Sequence, residues 1–191
     1  MSEEKLIRIL KSLPLFAKNF LIIHDKAGTE QFFQFNRAQL YIHERLEAQL
    51  KATGKIRALV LKGRQQGVST YVQSRFFHKT VTKRGKKSFI LTHHADSTRA
   101  LFEMTKRYSE NLDKSIFPQP DKKNDNTLMY DGLGSGYRVG TAGSVEVGRG
   151  MTNQYLHLSE YAFYKDAAKI GMGLMNTVAE IDDTEIIKES T

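Results

Sequence analysis

Short apolar runs bounded by glycine and polar residues alternate along this chain with longer segments of helical period. Residues 56–61, 88–91, 155–158 and 185–188 are rich in Ile, Val, Leu and aromatic residues, and are too short to be read as helices, so they read as strands. Leu6, Ile7, Ile9, Leu10 and Leu13 have helical spacing over 3–13, and Pro14 is expected to end that helix. Asn36 is expected to cap a helix running to about residue 50, closed by Thr53-Gly54. Further helices are expected over 69–83, from a cap at Asp96 to about residue 112, and over 166–179. The runs 127–130 and 137–141 flank a glycine-rich turn and predict a β-hairpin, whereas the polar stretch 113–126, with Pro118 and Pro120, predicts an exposed excursion. Strands alternating with helices predict an α/β fold, a mainly parallel sheet with helices on both faces.

At 191 residues the chain is long enough for one sizeable core. Its net charge of +8 favours an anionic partner such as nucleic acid, but does not bear on the fold. The chain has no cysteine, which excludes disulfides, thiolate metal sites and a cysteine nucleophile. Glu3 and Glu4 argue against a signal peptide, and no apolar run approaches the roughly 18 residues that a membrane span requires. No membrane partner is therefore expected. The basic cluster Lys83-Arg84-Gly85-Lys86-Lys87 reads as a solvated turn in preference to a DNA contact, because no aromatic stacking residue lies within it. Phe32, Phe33 and Phe35 read as a small core, and the six histidines lack metal-ligand spacing.

Chemistry concentrates at two places. The strand ending at Leu61 runs into Lys62-Gly63-Arg64-Gln65-Gln66-Gly67-Val68-Ser69-Thr70, a glycine-bounded loop that leads into a helix. In such a P-loop, backbone N–H groups and the partial positive charge of the helix N-terminus hold a polyphosphate. Val68 occupies the position where the usual pattern has lysine. The second place is Tyr155-Leu156-His157-Leu158-Ser159-Glu160, an apolar strand ending where P-loop enzymes place an aspartate for magnesium and a glutamate for water. Glu160 is the candidate for activating water. Ser159 takes the aspartate position and can reach the ion only by its hydroxyl or through water.

In this order the motifs resemble the ATPase domain of the large terminase subunit of tailed bacteriophages, over roughly residues 32–191. Phe35-Asn36-Arg37-Ala38-Gln39 is similar to that family's adenine-reading glutamine motif. Lys62 to Thr70 is similar to its P-loop, and Phe89-Ile90-Leu91-Thr92-His93 to its next motif. Val147-Gly148-Arg149-Gly150-Met151-Thr152 and Leu156-His157-Leu158-Ser159-Glu160 resemble its arginine–glycine turn and acidic strand, and Glu189-Ser190-Thr191 the start of its coupling motif.

The resemblance implies a P-loop NTPase of the additional-strand catalytic-glutamate class, with 1–31 as an N-terminal helical extension and 32–191 as an ATPase domain lacking its C-terminal end and the nuclease domain. It implies ATP and Mg²⁺ as ligands, with Gln39, Gly63, Arg64, Gln65, Gln66, Gly67, Val68, Ser69 and Thr70 around the nucleotide and Ser69 and Ser159 near the metal. Some members of that family place the P-loop lysine at the front of the loop, which makes Lys62 the candidate here, its long stem carrying a mobile point charge to the phosphates, with Arg64 as helper. Lys62, Glu160 and a trans-acting Arg149 would be catalytic. The implied partners are double-stranded DNA, the portal protein, the small terminase subunit and further copies of the chain in a ring, all in the host cytoplasm. The implied function is ATP hydrolysis that drives DNA into a capsid. The replacements at Val68 and Ser159 keep open a catalytically weak nucleotide- or DNA-binding module.

Overall fold

The computed structural model describes residues 2–25, 27–143 and 152–191. Helices α1 (Glu3–Lys11) and α2 (Leu13–Phe20) lead into a hairpin of β1 (Ile22–His24) and β2 (Glu30–Phe32). Then follow α3 (Arg37–Thr53), β3 (Lys55–Leu61), α4 (Val68–Thr82), β4 (Lys87–Thr92) and α5 (Ala95–Glu110). The remainder comprises β5 (Lys122–Lys123), β6 (Thr127–Tyr130), β7 (Ser135–Thr141), β8 (Tyr155–Ser159), α6 (Ala167–Met175) and β9 (Thr184–Ser190).

Seven strands form the main sheet in the order β3-β9-β8-β4-β7-β6-β5. The first five run parallel, and β6 and β5 extend the sheet antiparallel through the expected hairpin. The last strand in sequence, β9, lies between the strand that feeds the P-loop and the acidic strand β8. That insertion is the additional strand of the expected class.

Alternation along the strands separates two cores, because successive side chains point to opposite faces. Ile90, Tyr155 and Ile187 join the larger core under α4, with Phe76, Phe77 and Tyr108. Their neighbours Phe89, Leu91, Leu156, Leu158 and Ile186 face the other way, against Tyr164 and Leu174. The coverage is unequal. Helices α2, α3 and α5 pack around α4, which is buried from Tyr71 to Val81, whereas among the described residues the second face is covered by α6 and the 161–163 turn. At the sheet edge Leu59 and Leu61 on β3 stay exposed.

Helix α4 buries two cations. Arg75 Nε donates to Glu185 Oε2 at 2.7 Å, and Lys79 pairs with Glu185 and with Asp183 at 2.8 Å. Burial pushes the Glu185 carboxyl up, but Arg75 and Lys79 outweigh it and hold it down. Lys83 and Lys86 of the basic turn also reach Asp183, at 2.9 and 2.8 Å.

Three local expectations are corrected. Pro14 does not end helical structure: it sits in the first turn of α2, where proline's missing N–H has no intrahelical partner to lose. The cap of α5 is His94, whose ring accepts from the Asp96 N–H, and Asp96 lies inside the first turn beside the positive end of the helix. The excursion 113–126 is not wholly exposed, since Phe117 is buried edge-on against Phe16 and Phe20. Helices α1 and α2 also belong to the main core, through Ile9, Leu13, Phe16 and Ala17.

Candidate active site

Three strand ends and one helix start converge beside the P-loop. Strand β3 stops at Leu61, and Lys62 N–H still donates to the Ser190 carbonyl of β9 at 3.0 Å, so the loop departs from the sheet at Gly63. It re-enters regular structure at Gly67, the N-cap of α4, whose φ of +71° is a left-handed conformation that glycine adopts without cost. A Cβ at Gly67 would meet Gln39 Nε2 at 2.5 Å.

Gln39 is therefore a brace for the loop. Its Oε1 accepts from Asn36 N–H at 2.9 Å, completing the capping box of α3, and its Nε2 donates to the Gly67 carbonyl at 2.8 Å. Asn36 Nδ2 donates to the Gln66 carbonyl at 3.2 Å. The amide of Gln39 thus has both ends engaged by the protein. Val68 points its side chain into the main core at 2% exposure, so only its backbone can face a phosphate. Gly63, Arg64, Gln65 and Gln66 are exposed along the loop, and Ser69 and Thr70 are half-buried in the first turn of α4.

Lys62 reaches two carboxylates at the neighbouring strand ends. Its ammonium is 2.8 Å from Glu160 Oε1 and 3.0 Å from Glu189 Oε2, with the side chain 9% exposed. Burial draws its pKa down, but hydrogen bonds to Glu160 and Glu189 raise it on balance, so it is a fixed cation. Glu160 has φ +55° and ψ +45°, a conformation costing a non-glycine residue about 1–3 kcal/mol that surrounding contacts must offset. The bend takes Glu160 out of the line of β8 and towards Lys62. Thr191 Oγ1 donates to its Oε2 at 3.3 Å. Lys62, Arg64, Gln65, His93, Glu160 and Phe163 line an open pocket beside the loop.

Beneath the pocket is a buried polar cluster that the motif reading did not assemble. Glu189 is fully buried; Ser69 Oγ donates to its Oε1 at 2.7 Å, and Ser159 Oγ to the same oxygen at 2.6 Å. His157 Nε2 lies 3.5 Å from it, and Gln73 Nε2 sits 2.9 Å from His157 Nδ1. Burial pushes the Glu189 carboxyl up, but His157 and the Ser159 and Ser69 hydroxyls outweigh it and bring it down to about 2. Glu189 is thus an anion at neutral pH. The sequence marked Glu189 as the start of a segment resembling the coupling motif, just past the expected strand, and gave it no place in the metal or nucleotide site. Among the described residues no three His, Asp or Glu side chains are grouped to hold a metal unaided. The donor set present is two hydroxyls, one carboxylate and a helix N-terminus, which suits a hard cation that brings phosphate and water oxygens with it. Arg149 and its glycine-flanked turn lie outside the described residues.

No family model and no curated protein matches the sequence. Solved structures do match the fold. The HK97 bacteriophage large terminase superposes with a TM-score of 0.73 at 10% identity, over 95% of this chain and 37% of its own. The large terminase ATPase domain of Thermus phage P74-26 superposes with a TM-score of 0.56 at 18% identity, over 83% of this chain and 65% of its own. An arginine-to-alanine variant of that domain gives the same score and identity. The chain therefore spans little more than a third of the HK97 protein and just under two thirds of the Thermus phage domain. What the strand order, the P-loop and these superpositions establish together is the fold: this chain has the P-loop α/β fold that the large terminase ATPase domains share.

Proposed function

We propose that this chain is the ATP-hydrolysing module of a viral DNA-packaging motor. The observation that carries the reading is the pairing of Lys62 with Glu160 beside a P-loop whose Ser69 faces a buried carboxylate. A triphosphate would lie along the N–H groups of 63–70, where the start of α4 adds favourable dipole. Lys62 would exchange its carboxylate partners for phosphate oxygens. That exchange frees Glu160 to accept a proton from the water attacking the terminal phosphorus in line. Mg²⁺ bound with the nucleotide would neutralise charge on its phosphate oxygens, with Ser69 as the hydroxyl nearest to hand. Double-stranded DNA, the portal protein, the small terminase subunit and a ring of copies with Arg149 acting across each boundary belong to the same proposal.

A second reading, a catalytically weak nucleotide- or DNA-binding module, draws on the buried Val68 and on Ser159 in place of an aspartate. Titration calorimetry with ATP and turnover with DNA present separate the two. Glu160→Gln should keep ATP affinity and lose turnover, and Lys62→Ala should weaken ATP while sparing adenosine. If parent and both variants bind ATP alike and none turns it over, the binding module stands and the motor reading fails.

A further inference from the structure

Resting on the ATPase reading, we propose that Glu189 is the carboxylate of the divalent-cation site, supplied by β9 in place of the acidic residue that β8 lacks at Ser159. The sheet makes the exchange possible. Ser159 and Glu189 are register partners on adjacent parallel strands, so their side chains emerge on the same face, the α4 side that also carries His157. Because β9 lies between β8 and the P-loop strand β3, the move carries the carboxylate one strand spacing, about 4.8 Å, towards Ser69.

The local bonding is that of a carboxylate held in readiness. Glu189 Oε1 receives the Ser69 hydroxyl at 2.7 Å and the Ser159 hydroxyl at 2.6 Å. Cis oxygen ligands of an octahedral Mg²⁺ at its usual bond length stand about 2.9 Å apart, so Ser69 Oγ and Glu189 Oε1 already have the separation of two such ligands. Among the described residues Oε2, fully buried, accepts no aligned hydrogen bond and lies 3.0 Å from the Lys62 ammonium. Behind them Gln73 Nε2 lies 2.9 Å from His157 Nδ1, and the imidazole turns its Nε2 towards Glu189 Oε1 at 3.5 Å. Lys62 thus fills, without nucleotide, the positive charge that the cation would bring. Ser159 becomes a positioning residue that orients Glu189, and Glu160 stays with the water.

The test measures binding of the non-hydrolysable analogue AMP-PNP by calorimetry, in EDTA and in Mg²⁺, and of Mn²⁺ to the analogue complex by electron paramagnetic resonance. Parent protein should bind the analogue more tightly in Mg²⁺. Glu189→Gln should keep its affinity in EDTA and lose about tenfold or more of the Mg²⁺-dependent gain and of Mn²⁺ affinity. The swapped double variant Ser159→Asp/Glu189→Ser, which returns the carboxylate to β8, should recover both. Circular dichroism checks that each variant is folded, and Glu189→Asp replaces Glu189→Gln if the amide is not tolerated; its shorter arm should give the same loss. A Glu189 variant that retains the full Mg²⁺ gain overturns the assignment and leaves the ATPase reading intact. Parent protein that binds no analogue in either buffer overturns both.

Discussion

Replacing Gly67 by alanine should unseat the P-loop, and the cost can be built from two contacts. The first is backbone strain. At φ +71° and ψ +23° a residue with a Cβ pays roughly 1–2 kcal/mol that glycine does not. The second is a collision: the new Cβ would stand 2.5 Å from Gln39 Nε2, so the amide must withdraw and release the Gly67 carbonyl it now holds at 2.8 Å. Losing that hydrogen bond costs about 1 kcal/mol. Together Gly67→Ala should cost about 2–3 kcal/mol, and with a urea slope of about 2 kcal/mol/M the midpoint should fall by roughly 1–1.5 M. Gly63→Ala is the internal control. Its Cβ would meet nothing nearer than the Gln66 side chain at 3.8 Å, so stability should stay within about 0.5 kcal/mol of the parent. Adding Gln39→Ala removes both the obstacle and the bond. The double variant should then be about 1 kcal/mol more stable than the sum of the two single losses predicts. Additive losses, or a Gly67→Ala midpoint equal to that of Gly63→Ala, would refute the claim that Gln39 braces the loop.

Two other perturbations test the frame around the site. Burial holds His78 at a pKa of about 4, against the hydrogen bond from its ring to the Leu10 carbonyl, while the unfolded chain titrates near 6.5. The native state stays neutral where the unfolded state takes up a proton, so this stability is full above 6.5, is lost as pH falls towards 4, and changes no further below that. Between pH 7.5 and 5 the parent should lose about 2 kcal/mol more than His78→Gln in urea titrations, and parallel pH profiles would count against it. Glu185→Gln should destabilise by about 3–5 kcal/mol, because it leaves the buried Arg75 and Lys79 without their shared carboxylate. Glu47→Gln, on the half-exposed side of the same guanidinium, should cost less than about 1 kcal/mol; equal losses would mean that burial does not set the scale.

Much of the molecule was legible in the sequence because its signals are local. Apolar runs of strand length, Asn36 ahead of a helix, Gly54 behind it and a glycine-bounded loop between strand and helix each act within a few residues, and each recurs in the structure. Glu160 was legible as a candidate for the same reason, being the acidic residue at the end of an apolar strand, whereas Lys62 was named through the resemblance to a family that carries its lysine at the front of the loop. What lay beyond local pattern was decided by pairing. Pro14 is compatible with either the end or the beginning of a helix, and packing of Phe16 and Ala17 into the core selected the beginning. Phe117 was buried by aromatic partners about a hundred residues earlier in the chain, which no window around Pro118 contains. The cluster at Glu189 depended on the sheet order. A strand end is apolar, polar or acidic in the sequence, but whether its last carboxylate meets Ser69 depends on which strand lies next to β3. Backbone hydrogen bonding and the burial of Ile186 and Ile187 on opposite faces put β9 there, and so set Glu189 between a lysine, two hydroxyls and an imidazole drawn from α4, β8 and the P-loop.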